Sequence, residues 1–210
     1  MNYLVIEGNI GVGKTTLAGM LSEDVSGKLI LEKFQDNPFL PKFYQNPERY
    51  SFPLELSFLA DRYRQHKEEI MNRDMFTPLM IADYYFSKSF IFASITLTED
   101  EFRLYRQLYN IILQQQLPVP DLYVYLYLPV DQLLLNIKKR GRDYEKAIQA
   151  DYLKKLQDGY FNFMKSRKDM KFLILDIQNI DFIHKHDDYK KIKNIIFDEH
   201  FKNGICNIIV

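Results

Sequence analysis

Apolar residues fall along this chain in two rhythms. Short unbroken runs, "YLVIE" (3–7), "LILE" (29–32), "LMIA" (79–82), "LYVYLYL" (122–128) and "FLILDI" (172–177), alternate with longer mixed stretches. An unbroken run suits a strand buried on both faces of a parallel sheet, because neither side meets water. The mixed stretches carry helical periodicity: Lys14–Val25, a long one from about Pro47 to Asn72, another from about Glu99 to Gln116, then Asp131–Arg140, Ala150–Arg167 and Asp188–Phe201. Thr98 followed by Glu101 predicts a capping box opening the second long helix. Strands alternating with helices demand right-handed crossovers. They predict a doubly wound α/β fold with five parallel strands and helices on both faces. The closing "ICNIIV" (205–210) reads either as a last short strand or as an apolar tail that packs down.

Composition narrows the classes. The 210 residues suit one compact domain, and no repeat, low-complexity tract or Pro/Gly/Ser-rich linker divides them. The 28 basic and 28 acidic side chains cancel, which argues against a nucleic-acid or membrane-surface binder but leaves room for a locally basic pocket. Cys206 is the only cysteine, so no intrachain disulfide forms and a reducing compartment is expected. Met1 leads straight into "NYLVIEG" without the pattern of a signal peptide. No apolar run approaches the roughly eighteen residues of a membrane span. The expectation is a cytoplasmic protein.

Chemistry enters at "EGNIGVGKTT". Gly8, Gly13, Lys14 and Thr15 match G-x-x-x-x-G-K-[ST], with a strand before the loop and a helix after it. This is the phosphate loop of the P-loop NTPase type. Backbone N–H groups of Gly8, Asn9, Ile10, Gly11, Val12, Gly13, Lys14, Thr15 and Thr16 are expected to curl around phosphate oxygens at a helix N-terminus. Lys14 reaches the β and γ phosphates, and the Thr15 hydroxyl is offered to Mg²⁺. The ligand expected is ATP with Mg²⁺. Two further features follow from position. Glu32 ends the second run, at the sheet edge where ligands sit in open α/β folds. Arg140 and Arg142 flank Gly141, so a short arginine-containing lid can bring two guanidiniums over a triphosphate. Glu55 and Arg62, seven apart, share one helix face.

Six landmarks in order carry a resemblance: "GNIGVGKTT" (8–16), "LEKFQDNPFLPKFYQNPERYSF" (31–52), "LELSFLADRYRQ" (54–65), "IADYYFSKSFIFA" (81–93), "KKRGRDYEKAI" (138–148) and "LDIQNIDF" (175–182). The chain resembles the deoxyribonucleoside kinase family, and within it the bacterial deoxyguanosine/deoxyadenosine kinases, from Tyr3 to about Ile195. The resemblance implies ATP-dependent 5′-phosphorylation of a deoxynucleoside in nucleoside salvage. It makes Glu32 the general base toward the sugar 5′-hydroxyl and gives Lys14, Arg140 and Arg142 the phosphoryl group. It assigns Glu55 and Arg62 to the base and Tyr44 and Glu145 to the 3′-hydroxyl. Phe86 and Phe90, with Phe52, are then expected as stacking walls. Most members of the family end the third strand with an acidic-Arg-Ser/Thr triplet, where this chain has Ala82-Asp83-Tyr84. Asp83 therefore either serves Mg²⁺ through water or touches the nucleoside.

The same residues point to a purine. An ionised carboxylate only accepts hydrogen bonds. Guanine offers N1–H and a 2-amino group to Glu55; adenine offers one donor beside an acceptor, and suits a glutamate only if it holds a proton. Deoxyguanosine is placed slightly ahead of deoxyadenosine. The alternative is a nucleoside monophosphate kinase of thymidylate-kinase type, which wants an extra arginine that this chain lacks at strand three. A P-loop switch ATPase would need a second acidic motif, which is not evident. Surplus apolar residues on the helices at 47–72 and 99–116, among them Leu54, Phe58, Leu104, Leu108 and Ile112, together with the family's usual dimer, predict a homodimer through the two long helices.

Overall fold

The computed structural model describes residues 1–33, 37–71, 78–115 and 117–210. The expected helix ends at Asn72 and Gln116 lie outside the described residues. The predicted runs become β1 (Tyr3–Gly8), β2 (Lys28–Ile30), β3 (Met80–Ala82), β4 (Leu122–Tyr127) and β5 (Lys171–Asp176). The open question at the end of the chain resolves as a sixth strand, β6 (Gly204–Ile209), which corrects the expected five. Its residues alternate between partly covered and exposed, so Cys206 and Ile208 pack on the core while Ile205 and Ile209 face outward. That half-covered pattern is why the segment does not read as a buried strand. All neighbours pair in parallel, in the order β2-β3-β1-β4-β5-β6.

The periodicity of two sorts the strands' side chains between two layers. Leu4, Ile6, Val124, Leu126, Leu173 and Leu175 meet α1 (Lys14–Asp24), α6 (Val130–Arg140) and α8 (His186–Asp198). Tyr3, Val5, Tyr123, Tyr125 and Phe172 meet α4 (Ser87–Thr96) and α7 (Ala150–Ser166). Outside α4 lie α3 (Pro47–Gln65) and α5 (Glu99–Leu113), joined through Leu59, Phe86, Tyr105 and Tyr109. A short α2 (Leu40–Gln45) closes on α3 through Phe43, Leu54 and Phe58. Asn46 caps α3, accepting from the Arg49 N–H at 3.3 Å, with Pro47 in the first turn where no N–H is needed. Past Gln65 the helix widens into a π-helical turn over His66–Met71. The capping box is present: the Glu101 carboxylate accepts from the Thr98 N–H at 3.0 Å. No helix among the described residues is long and apolar enough to cross a membrane.

One buried group fixes the ends of the central strands. Glu7, fully buried on β1, accepts hydrogen bonds from the N–H of Tyr85 (3.0 Å), the N–H of Gly8 (3.2 Å) and the hydroxyl of Tyr160 on α7 (3.0 Å). Burial raises its pKa, against the opposing pull of Lys88 and Lys14. Glu7 thereby ties the phosphate loop to the segment after β3. Removing the hydroxyl in Tyr160→Phe should cost about 1–3 kcal/mol of stability, seen as a lower urea midpoint with unchanged slope. An unchanged midpoint would show that Glu7 is satisfied without Tyr160.

Candidate active site

At the carboxyl end of β1 the chain turns into α1 through three glycines with positive φ: Gly8 (149°), Gly11 (84°) and Gly13 (100°). At Gly8 a Cβ would stand 2.6 Å from the Leu126 carbonyl oxygen, so only glycine lets β1 and β4 stay paired there. Within the loop the roles divide. Val12 is a core side chain, and Asn9 braces the loop, donating to the Leu153 carbonyl (2.7 Å) and accepting from the Ile10 N–H (2.8 Å). Lys14 folds back onto the carbonyls of Gly8 and Asn9, both at 2.9 Å. Burial, then neighbouring Lys88, lowers its pKa to about 8. The lysine thus still carries its charge at neutral pH and sits in the loop where a phosphate would reinforce it.

Asp83, just past β3, joins this loop to the acceptor side. One carboxylate oxygen accepts from the Thr15 hydroxyl at 2.5 Å, the other from the Glu32 N–H at 2.8 Å. Glu32 stands two residues beyond the end of β2 rather than on it. Its Oε1 accepts from Arg62 Nε (2.8 Å) and Nη2 (2.7 Å), and its Oε2 from Lys88 Nζ (2.5 Å). Burial alone would raise its pKa; Lys88 and Arg62 outweigh burial and hold it down at about 2. Arg62 also donates to the Ser89 hydroxyl at 2.9 Å and lies over the Phe58 ring at 4.7 Å.

Two adjoining cavities meet at Lys14, Thr15, Glu32, Asp83, Arg140 and Arg142. The first runs inward from Glu32 to Glu55, and Phe43, Phe58, Phe92 and Tyr152 are among its walls. The second lies over Gly11–Thr16 and is closed by Gln178 and Ile180–His184. Tyr44 lines the first cavity with its ring stacked on Tyr144 at 5.9 Å. Glu145, buried in a 3₁₀ turn (Asp143–Ala147), pairs with Arg140 at 2.5 Å and Arg142 at 3.2 Å. Gly141 ends α6 in a left-handed conformation, so the two arginines leave the backbone from different elements.

The sequence-predicted residues therefore converge, with one correction. Phe52, Phe86 and Phe90 do not line the cavity, and Phe52 packs against the cluster of Leu59, Phe86, Tyr105 and Tyr109. Phe86 stacks on Tyr109 at 5.1 Å and Phe90 contacts Phe102 and Tyr109, because α4 turns that side toward α5. Lys88 was missed, although a lone charge inside "YYFSKSFIFA" is a legible signal for a buried partner. Among the described residues no group of three or more His, Cys, Asp or Glu is placed to hold a metal alone. The Thr15 hydroxyl and Asp83 carboxylate do fit a Mg²⁺ bound chiefly by phosphate and water oxygens.

A phosphate loop, a cationic ring and a carboxylate facing an enclosed, aromatic-walled cavity define a phosphotransferase with a small-molecule acceptor. The comparisons with known proteins agree. The deoxynucleoside kinase family model matches residues 4–202, and the chain belongs to that family. It is 37% identical over 194 residues to the deoxyguanosine kinase of Bacillus subtilis strain 168, covering 90% of this chain and 93% of the relative. It is 28% identical to the deoxyadenosine/deoxycytidine kinase of the same organism, covering 93% and 90%. The solved structure of M. mycoides deoxyadenosine kinase with bound dATP superposes with a TM-score of 0.79 at 22% identity, covering 92% and 98% of the two chains. The protein is a deoxynucleoside kinase. The thymidylate-kinase alternative finds no support among these relatives.

Glu55 has a further property that stability can report. It is 2% exposed, its Oε1 accepts from the Thr96 hydroxyl at 3.0 Å, and its Oε2 has no partner among the described residues. Burial raises its pKa from 4.5 to about 7, against a smaller opposing effect of Arg62. The folded chain thus holds a proton that the unfolded chain has lost. The associated stability is full below the unfolded pKa of 4.5 and is lost as pH rises through about 7. Thermal melts from about pH 5 to about pH 8 should show a shallower decline for Glu55→Gln than for the wild type. Parallel curves would mean that Glu55 is ionised throughout.

Proposed function

We propose that this kinase transfers the γ-phosphoryl group of ATP to the 5′-hydroxyl of purine deoxyribonucleosides, with deoxyguanosine ahead of deoxyadenosine. The observation that carries the reading is the buried, unpartnered Glu55 Oε2 on the wall of a cavity that opens at its other end onto Glu32 and Lys14. A relative named deoxyguanosine kinase supports the first base, and relatives named for deoxyadenosine support the second.

The loop N–H groups and Lys14 take the phosphates. Thr15 and Asp83 would hold Mg²⁺, which supplies charge neutralisation to the phosphate oxygens. Glu32 accepts a hydrogen bond from the 5′-hydroxyl and aims it. At a pKa of about 2 it is a weak base, which a loose phosphoryl transition state tolerates, because the hydroxyl proton leaves late. Tyr44 and Glu145 face the 3′-hydroxyl, and Arg140 and Arg142 can exchange Glu145 for phosphate across the joint at Gly141. The direct test is monophosphate formation from a panel of deoxynucleosides with ATP, deoxycytidine included. Turnover confined to pyrimidines would overturn the purine reading. Glu32→Gln keeps the size and removes the anion. Its kcat should fall by about 10²–10⁴ with KM changed far less. Near-normal kcat in a folded Glu32→Gln protein would remove Glu32 from the mechanism.

The second reading concerns assembly as a homodimer. On α3, Leu54, Phe58 and Leu59 are spent inside the chain, so the surplus apolar face belongs mainly to α5. There Leu104, Leu108 and Ile111 are 48%, 37% and 60% exposed along one stripe. Ile112 packs inward and is a poor probe. Leu108→Asp and Ile111→Asp should leave the monomer folded and weaken association by several kcal/mol, read by sedimentation as a dimer turned monomer. A monomeric wild type would end this reading.

A further inference from the structure

The Thr96 hydroxyl, at the end of α4, lies 3.0 Å from the Phe92 carbonyl oxygen and 3.0 Å from Glu55 Oε1. A hydroxyl has one proton to give. If Glu55 is ionised, both neighbours are acceptors and one of the two contacts has no hydrogen in it. If Glu55 is the neutral acid, both contacts are satisfied: Oε1–H donates to Thr96, and Thr96 donates to Phe92. The charged and titratable groups facing Glu55 are Arg62 on its own helix, Glu32 after β2, Lys88 on α4, Tyr44 on α2, Tyr105 on α5 and Tyr152 on α7. The two cations among them are engaged with Glu32, so among the described residues Glu55 has no ion-pair partner of its own.

We propose that Thr96 is a specificity-setting positioning residue whose hydroxyl, by turning between Phe92 and Glu55, lets a neutral Glu55 present either an acceptor or a donor to the purine. With the acid proton on Oε1, Thr96 points at Phe92 and Oε2 is a bare acceptor, matched to guanine N1–H. With the proton on Oε2, Thr96 turns to donate to Oε1 and Oε2–H is a donor, matched to adenine N1. Loss of the proton leaves Oε2 only as an acceptor. Guanine keeps its partner and adenine N1 faces a carboxylate. A site built this way serves both purines at low pH and narrows toward deoxyguanosine as Glu55, titrating near pH 7, ionises.

This rests on the purine reading above, and one experiment separates the two. The measurement is kcat/KM for deoxyadenosine and for deoxyguanosine between about pH 5.5 and about pH 8.5, expressed as a ratio. Titrations that the substrates share, such as that of Lys14, cancel in the ratio. In the wild type the ratio of deoxyadenosine to deoxyguanosine should fall about tenfold or more across the range. Thr96→Val removes the hydroxyl that couples Glu55 to Phe92 and should displace the midpoint; Thr96→Ser should restore it. Glu55→Gln should give a flat ratio. A merely structural Thr96 would lower both substrates together and leave the midpoint in place. Thr96→Ala repeats the test should the valine variant not fold, and the wild-type curve needs no variant. A flat wild-type ratio, turnover of deoxyguanosine alone at every pH, or an unmoved midpoint in the valine or alanine variant overturns this inference while the purine reading stands. No turnover of either purine overturns both.

Discussion

A carboxylate held between two cations organises this site. Glu32, Arg62 and Lys88 come from the segment after β2, from α3 and from α4, and their ion pairs measure 2.5 and 2.7 Å with little solvent access. Three elements that share no sheet hydrogen bonds are thereby fixed around one point. Charges so placed are costly to bury singly, and breaking such a pair strands a charge. The arrangement therefore contributes more to geometry than to net stability. It sets how far the aromatic-walled cavity stands from the phosphate loop, and Asp83 completes the link by gripping the Glu32 backbone and the Thr15 hydroxyl together.

The sheet was legible in the sequence because parallel strands covered on both faces need unbroken apolar runs, and five of them are unbroken. The phosphate loop was legible because its glycines answer a backbone requirement that no other residue meets. α4 was harder to see. "SKSFIFASIT" is buried nearly all round, so it lacks the polar face that marks a surface helix. β6 hid for the opposite reason, being covered on one face only. Glu55 and Arg62 could be paired by spacing, yet spacing could not show that Arg62 would be committed to Glu32 and Ser89. The aromatic walls were misassigned because 31 Phe and Tyr residues offer too many candidates, and rotation of a helix about its axis decides which rings face the cavity. Phe92 faces it; Phe90 on the same helix, and Phe86 just before it, face α5.

Protonation at the site is governed by the immediate neighbours of each group more than by net charge, which is zero for the chain. Glu32 and Glu55 are both carboxyls of one cavity, and their environments push them apart, to about 2 and about 7. The difference lies in who stands beside each. Glu32 has taken both cations, and Glu55 has a hydroxyl. One acid is thereby kept anionic and the other is poised to titrate within the same cavity.

The pairing of Arg140 and Arg142 with Glu145 has a consequence for what the empty protein shows its surroundings. Two unshielded guanidiniums at the mouth of a cleft would attract any polyanion, from inorganic phosphate to RNA. Here a buried carboxylate occupies both, with α6 and the 3₁₀ turn meeting at Gly141 to make the exchange possible. An anion must outcompete Glu145 to claim them. A triphosphate already anchored by the loop can do so, because its remaining oxygens arrive at high local concentration; a free anion has no such anchor. Pairing with Glu145 thus gives the two arginines a threshold that an anion without a second foothold has to overcome.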